Sequence, residues 1–152
     1  MTDLVVTRIR DFLSGVDDTS QSESDSIDAL IAALDGLAVS IHAVRFESDE
    51  TDYPEPPTQD HKATWQRVAA RFPKFGYYNS PLDISEKIAE TTLAVGDAVG
   101  DVAEIYDDLQ EVLWRFENTS QADALFHFQL GFRTHWGRHL RELQLYAHDL
   151  HW

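Results

Sequence analysis

His135 and His139 are the residues best placed to do chemistry in this chain. They stand four apart on a strongly periodic stretch, so their imidazoles point the same way, one helical turn apart. On the preceding periodic stretch Asp101 and Asp108 border the apolar face, while Glu104, Asp107 and Glu111 point further outward. Folding the two stretches back at Asn118 brings Asp101 level with His135 and Trp136, and Asp108 level with Phe128 and Gln129. Asp101 is then placed to meet His135, with His139 also in reach. Two chemistries follow. A buried imidazole needs a partner for each ring nitrogen, so a His–Asp pair can simply fix the register of two core helices, which is its commoner use. Alternatively His135, His139 and Asp101 can ligate Zn²⁺, Mn²⁺ or Fe²⁺, with Asp108 as a fourth ligand or as an orienter behind them. A metal-free general base in a pocket is a third use of the same residues.

Other chemical signatures are absent. There is no P-loop, no G-x-S-x-G and no H-E-x-x-H. His148-Asp149 lies too close to the end of the sequence to be followed by the further ligands of an HD-type phosphohydrolase, and no Glu-x-x-His pair of a di-iron bundle occurs. The stripe Glu104, Asp107, Asp108 and Glu111 reads as a solvated face, partly neutralised by Arg133, Arg138 and Arg141. Tyr77 and Tyr78, beside a proline-bearing loop, either line a pocket or pin the loop to the core. Trp136 lies on the apolar stripe. These three aromatics are the candidate binding residues. Gly137 faces away from the stripe, which predicts that another helix or a partner chain approaches there.

The elements that must hold these groups are helical. Leu4, Val5, Ile9, Phe12, Leu13 and Val16 recur at three- and four-residue spacing, as do Ile27, Leu30, Ile31, Leu34, Leu37, Ala38, Ile41 and Val44. Asp17 to Asp25 carries no apolar residue and is a solvated connector. Glu47 to Asp60, with Pro54, Pro56 and Pro57, is an extended loop. A shorter helix spans Thr58 to Phe72, stopped by Pro73. Residues 73–95 read as loop, with a short helix or irregular structure over Asp83 to Leu93. A helix from Asp97 runs to a break at Asn118-Thr119-Ser120. Ser120 and Asp123 form a capping arrangement that opens a last helix of about seven turns. So few residues between two long helices make them antiparallel neighbours. No stretch alternates convincingly, so no sheet is predicted.

Composition narrows the function classes. The chain has 152 residues, 27 Asp plus Glu against 12 Lys plus Arg, a formal net charge of −15 and no cysteine. Disulfides, Fe–S clusters and thiol chemistry are excluded. That charge argues against nucleic acid and against anionic lipid. The opening Met1-Thr2-Asp3-Leu4 lacks the flank of a signal peptide, and no run approaches the roughly 20 apolar residues that span a bilayer.

The run Phe132-Arg133-Thr134-His135-Trp136-Gly137-Arg138-His139-Leu140, together with Asp101-Val102-Ala103-Glu104-Ile105-Tyr106-Asp107-Asp108-Leu109, resembles a bacterial family known only as domain of unknown function 5063. The family pattern is D-x-A-D-I-Y-R-D-L, then T-H-W-G-x-H. This chain departs at Glu104, where Asp is usual, and at Asp107, where a basic residue is usual. Asp101, Asp108, His135 and His139 match. The resemblance implies an all-helical bacterial protein without an established activity.

The expectation is therefore an all-α fold: residues 1–152 as one helical bundle of about five or six helices, the last two long and antiparallel. The expected role is a cytoplasmic, non-enzymatic protein-interaction module with a protein partner or a homodimer. The alternative is a metal-binding bundle or metal-dependent hydrolase. No cofactor follows from any motif, and a divalent transition metal is the one candidate.

Overall fold

The computed structural model describes residues 2–45 and 47–152. Met1, first residue of the leader reading, lies outside them. Helix α1 (Thr2–Asp17) packs on α2 (Glu23–Ser40), and α2 ends in a 3-10 turn, Ile41–Ala43. After the proline-bearing loop come α3 (His61–Arg71), strands β1 (Tyr77–Pro81) and β2 (Leu93–Asp97), and α4 (Ala98–Asn118). The last rod is α5 (Gln121–Gly131), a π-helical turn (Phe132–Trp136) and α6 (Gly137–His151). Caps follow side-chain chemistry. Ser22, Asp60 and Ser120 each accept a hydrogen bond from the backbone N–H three residues on. Helix α3 starts at its Asp60 cap, three residues later than the apolar pattern suggests.

Helix α4 is the axis of the fold, packed by α1, α3, α5 and α6. Its Val102, Ile105 and Leu109 have no exposure, nor do Phe128, Trp136, Leu140 and Leu143 on the last rod. Each such side chain contributes about 1.5–3 kcal/mol relative to an exposed one. The stretch Glu23–Ala43 is, by length and composition, long and apolar enough to cross a membrane, which the count of consecutive apolar residues missed. Here its Ile27, Leu30, Leu34 and Leu37 lie in the core, while Asp28 and Asp35 face outward.

The all-α expectation is corrected by β1 and β2. They pair antiparallel, with Tyr77 opposite Asp97, Asn79 opposite Val95 and Pro81 opposite Leu93. The reason lies in which face is apolar. Tyr77, Leu93 and Val95 point out and are 61–77 % exposed, while the inward face carries Tyr78, Ser80, Ala94 and Gly96. Polar and small residues inward with apolar ones outward invert the usual alternation. Gly96 is required: a Cβ there would lie 2.2 Å from the Tyr78 ring, its cross-strand partner. In the connection between the strands Ala89 has φ 61°, a left-handed conformation that crowds its Cβ. Ala89→Gly is expected to stabilise the protein by about 0.5–1 kcal/mol, read as a raised urea midpoint.

A second correction concerns the last rod. The N–H of Gly137 bonds the carbonyl of Phe132, five residues back, which closes the π turn. A Cβ on residue 137 would sit 2.1 Å from that carbonyl oxygen. The glycine is therefore demanded by the chain's own backbone, not by an approaching helix or partner.

Candidate functional site

The π turn rotates the residues after it relative to an unbroken helical wheel. Trp136 goes fully into the core, while His135 and His139 leave the apolar seam, with side chains 45 % and 29 % exposed. They face α4 across an antiparallel contact whose register differs from that expected from loop length: Asp101 meets His139, one turn beyond His135, and Asp108 meets His135, about two turns beyond Phe128 and Gln129. His139 Nδ1 lies 2.7 Å from Asp101 Oδ1, and His135 Nδ1 lies 2.6 Å from Asp108 Oδ2. The two rings sit edge to face, 5.1 Å between centroids.

A third histidine joins them from the other side of α4. His61 opens α3 directly after its Asp60 cap, and its Nδ1 lies 2.8 Å from Asp107 Oδ2. Thr64, one turn further on, donates to the other oxygen of Asp107 at 2.8 Å. Asp107 is only 8 % exposed, so the solvated-stripe reading fails for it. Glu104 lies between the two outer rings. Its Oε1 is 3.6 Å from His61 Nε2 and its Oε2 is 3.5 Å from His135 Nε2. The row thus runs Asp107, His61, Glu104, His135, Asp108, with Asp101–His139 beside it.

An ionised carboxylate only accepts hydrogen bonds, so each Nδ1 facing its aspartate carries the proton. In the neutral ring Nε2 is then a bare lone pair. For His61 and His135 that lone pair would face a Glu104 oxygen, an arrangement relieved by a proton on Nε2 or on Glu104, or by a cation between them. The bond from Asp101 raises the pKa of His139, and the bond from Asp107 raises that of His61. Burial pushes Asp108 up, against the opposing bond to His135, and burial also raises Glu111.

The ribbon closes one end of the site. Tyr78 donates its hydroxyl to Asp101 and to Glu142 Oε2, the latter at 3.2 Å. Burial, with both carboxylates beside it, raises the Tyr78 pKa and keeps it a donor. Ser80 and Arg138 bind Glu142 Oε1 at 2.7 and 2.9 Å. Burial alone would raise Glu142, but the Ser80 and Arg138 bonds outweigh it and hold its pKa below the ordinary value.

Of the residues singled out from sequence, the structure brings Asp101, Asp108, His135, His139 and Tyr78 together. Tyr77 points outward instead, 72 % exposed, and Trp136 is sealed in the core at the base of a cavity of about 150 Å³ that Asp108 also lines. Asp101 and Asp108 are taken up by ring Nδ1 atoms, so they hold the imidazoles from behind. Among the described residues no group of three or more His, Asp and Glu side chains is gathered closely enough to hold one metal ion. The sequence reading left His61 and Glu142 out of the site. Glu104 carried a signal, since Asp101, Glu104 and Asp108 follow i, i+3, i+7 on one helical face. His61 carried none, because nothing in its local pattern says which helix α3 packs on.

The sequence profile of the domain of unknown function DUF5063 matches residues 1–150. No curated protein matches. Among solved structures, a crystal structure of protein BF1032 from Bacteroides fragilis is similar, with 20 % sequence identity and a TM-score of 0.74. The match covers 97 % of this chain and 93 % of that one, and at this identity it shows the fold alone.

Proposed function

We propose that this chain, which belongs to the DUF5063 family, binds divalent transition-metal ions on the histidine–carboxylate face of α4, one at each histidine–Glu104 pair. The observation that carries this reading is the pair of Nε2-to-Glu104 separations, 3.5 and 3.6 Å. A charge-assisted N–H to carboxylate bond closes to about 2.7–2.9 Å. Two ligands of one tetrahedral ion, with bonds of about 2.0–2.1 Å, stand roughly 3.4 Å apart. The observed spacing fits ligands better than hydrogen-bond partners. His61 and His135 supply Nε2, and Glu104 supplies one oxygen to each. Asp107 and Asp108 fix the tautomer and orientation of the rings, the arrangement that raises imidazole basicity toward a metal. Asp101 does the same for His139, next in the row.

Each histidine–Glu104 pair supplies two protein ligands, so the remaining positions belong to water or substrate. Such open coordination suits Lewis-acid or hydrolytic chemistry better than a structural role. Zn²⁺ and Mn²⁺ both accept this mixture of nitrogen and oxygen donors. The test is a calorimetric titration of chelator-stripped protein with each ion. Saturable heat that varies with buffer ionisation is expected, because binding releases ring protons. Absence of heat with both ions overturns the proposal. The net charge of −15 supports a partner other than nucleic acid or an anionic membrane. A second reading, a protein-interaction module, is favoured by the outward face of the ribbon.

A further inference from the structure

One fully buried donor finds no acceptor among the described residues. Trp136 has no exposure, and its indole Nε1–H makes no hydrogen bond to any of them. A buried N–H is nearly always paired, because an unpaired one forfeits the bond it made to water. Trp136 and Gly131 both line the cavity of about 150 Å³ beside α4. A Cβ on residue 131 would lie 3.0 Å from Nε1 and 2.9 Å from the neighbouring ring carbon, so the glycine leaves that edge of the indole open. The donor meets the cavity where a side chain is missing.

The other polar walls decide what kind of molecule answers it. Asp108 and Glu111 line the same space with two carboxyl groups. Burial, then the charge of Asp108, raises the pKa of Glu111. Among the described lining residues Arg115 brings positive charge, but its guanidinium is committed to Asp123 at 3.1 Å and Glu55 at 3.0 Å. Burial, then Arg115, pushes the pKa of His127 down and favours its neutral ring. Thr134 donates its hydroxyl to the carbonyl of Leu130 at 2.8 Å. An anion would satisfy the indole N–H but meet two carboxylates. An ammonium ion would satisfy the carboxylates but turn only donors toward the indole. A neutral molecule with both a carbonyl and an N–H answers both walls.

We propose that this cavity binds a small uncharged amide, whose carbonyl accepts the Trp136 Nε1–H and whose N–H donates to the Asp108 and Glu111 carboxyl groups. An apolar cavity of about this volume holds benzene, so a ligand of about six heavy atoms fits. Asp108 also bonds the His135 ring, which sets the occupied cavity beside the His135–Glu104 pair. The cavity needs no metal ion, and chelator-stripped protein tests it separately from the metal site.

The probe is γ-butyrolactam, a ring amide of that size, titrated while the indole N–H signals are followed by proton–nitrogen correlation NMR. Trp136 is assigned by elimination with Trp65→Phe, Trp114→Phe and Trp152→Phe, which replace the other tryptophans. The expected result is a saturable downfield shift of the Trp136 signal, half complete at about 1–10 mM, with the other three little moved. Glu111→Ala, at a part-exposed position that the fold tolerates, should weaken binding about 10-fold. A Trp136 signal that does not move downfield and saturate overturns the proposal. So does equal binding of pyrrolidinium or butyrate, which would remove the requirement for a neutral ligand, and so does undiminished binding in Glu111→Ala.

Discussion

Glu104→Gln is expected to weaken Zn²⁺ and Mn²⁺ binding by about 100-fold or more while moving the unfolding midpoint little. The amide is nearly isosteric with the carboxylate, so packing around α4 is kept. What it loses is the charge that faces His61 Nε2 at 3.6 Å and His135 Nε2 at 3.5 Å. Glu104 is the one oxygen donor shared by both rings, so its removal dismantles both histidine–carboxylate pairs at once. His61→Ala and His135→Ala each remove one pair and should halve the stoichiometry while leaving the other pair to bind. Calorimetry on stripped wild type and the three variants checks the affinities and stoichiometries. Equal affinity in wild type and Glu104→Gln would refute the shared-carboxylate site. A loss in His135→Ala without any in His61→Ala would leave α3 out of it.

How much of this was visible in the sequence depends on the range of each contact. The helices of the first and last thirds follow from apolar spacing, because each buries one stripe against a neighbour. The Ser120 cap was equally visible, being a contact between residues three apart. The antiparallel meeting of α4 with the last rod followed from the short break at Asn118-Thr119-Ser120. Its register did not, and the π turn at Phe132–Trp136 further adds a residue that no wheel drawn at 100° includes, which changes which side chains after it face α4. The pairing came out as His139 with Asp101, one turn from the expected match, and His135 with Asp108, about two turns from it.

Two features were hidden for stronger reasons. The ribbon is short, five residues per strand, and its apolar side faces outward, so the alternation that reports a half-buried strand has the wrong sign. His61 reaches Asp107 from 46 residues away, and no local pattern encodes which face of α3 meets α4. Gly137 misled in the opposite sense. Its vacant face suggested a partner, but the carbonyl of Phe132 already occupies that space.

The largest loss of stability is expected at a different pair. Arg115→Ala should cost about 3–5 kcal/mol, read from denaturant unfolding. Arg115 and Asp123 are 3.1 Å apart, with side chains 7 % and 9 % exposed, and they clamp α4 to the start of α5. Removing the guanidinium leaves the Asp123 carboxylate buried with Thr119 at 2.8 Å, His127 Nε2 at 3.5 Å and the helix N-terminus to hold it. The second ion pair of Arg115, to the 84 % exposed Glu55, is screened by water and adds little. His135→Ala, by contrast, should cost less than about 1 kcal/mol, because His135 is 45 % and Asp108 27 % exposed and water can replace the ring. The comparison decides between the two uses of a His–Asp pair. A pair that exists to fix helix register has to be buried for its loss to matter, as Arg115 and Asp123 are. The His61 and His135 rings are instead left nearly half open to solvent, in the company of a carboxylate that no ring nitrogen properly bonds. Similar losses in the two variants would make the row structural and remove the reason to look for a ligand there. A small loss in His135→Ala beside a large one in Arg115→Ala would leave ligand binding as what the row is built to do.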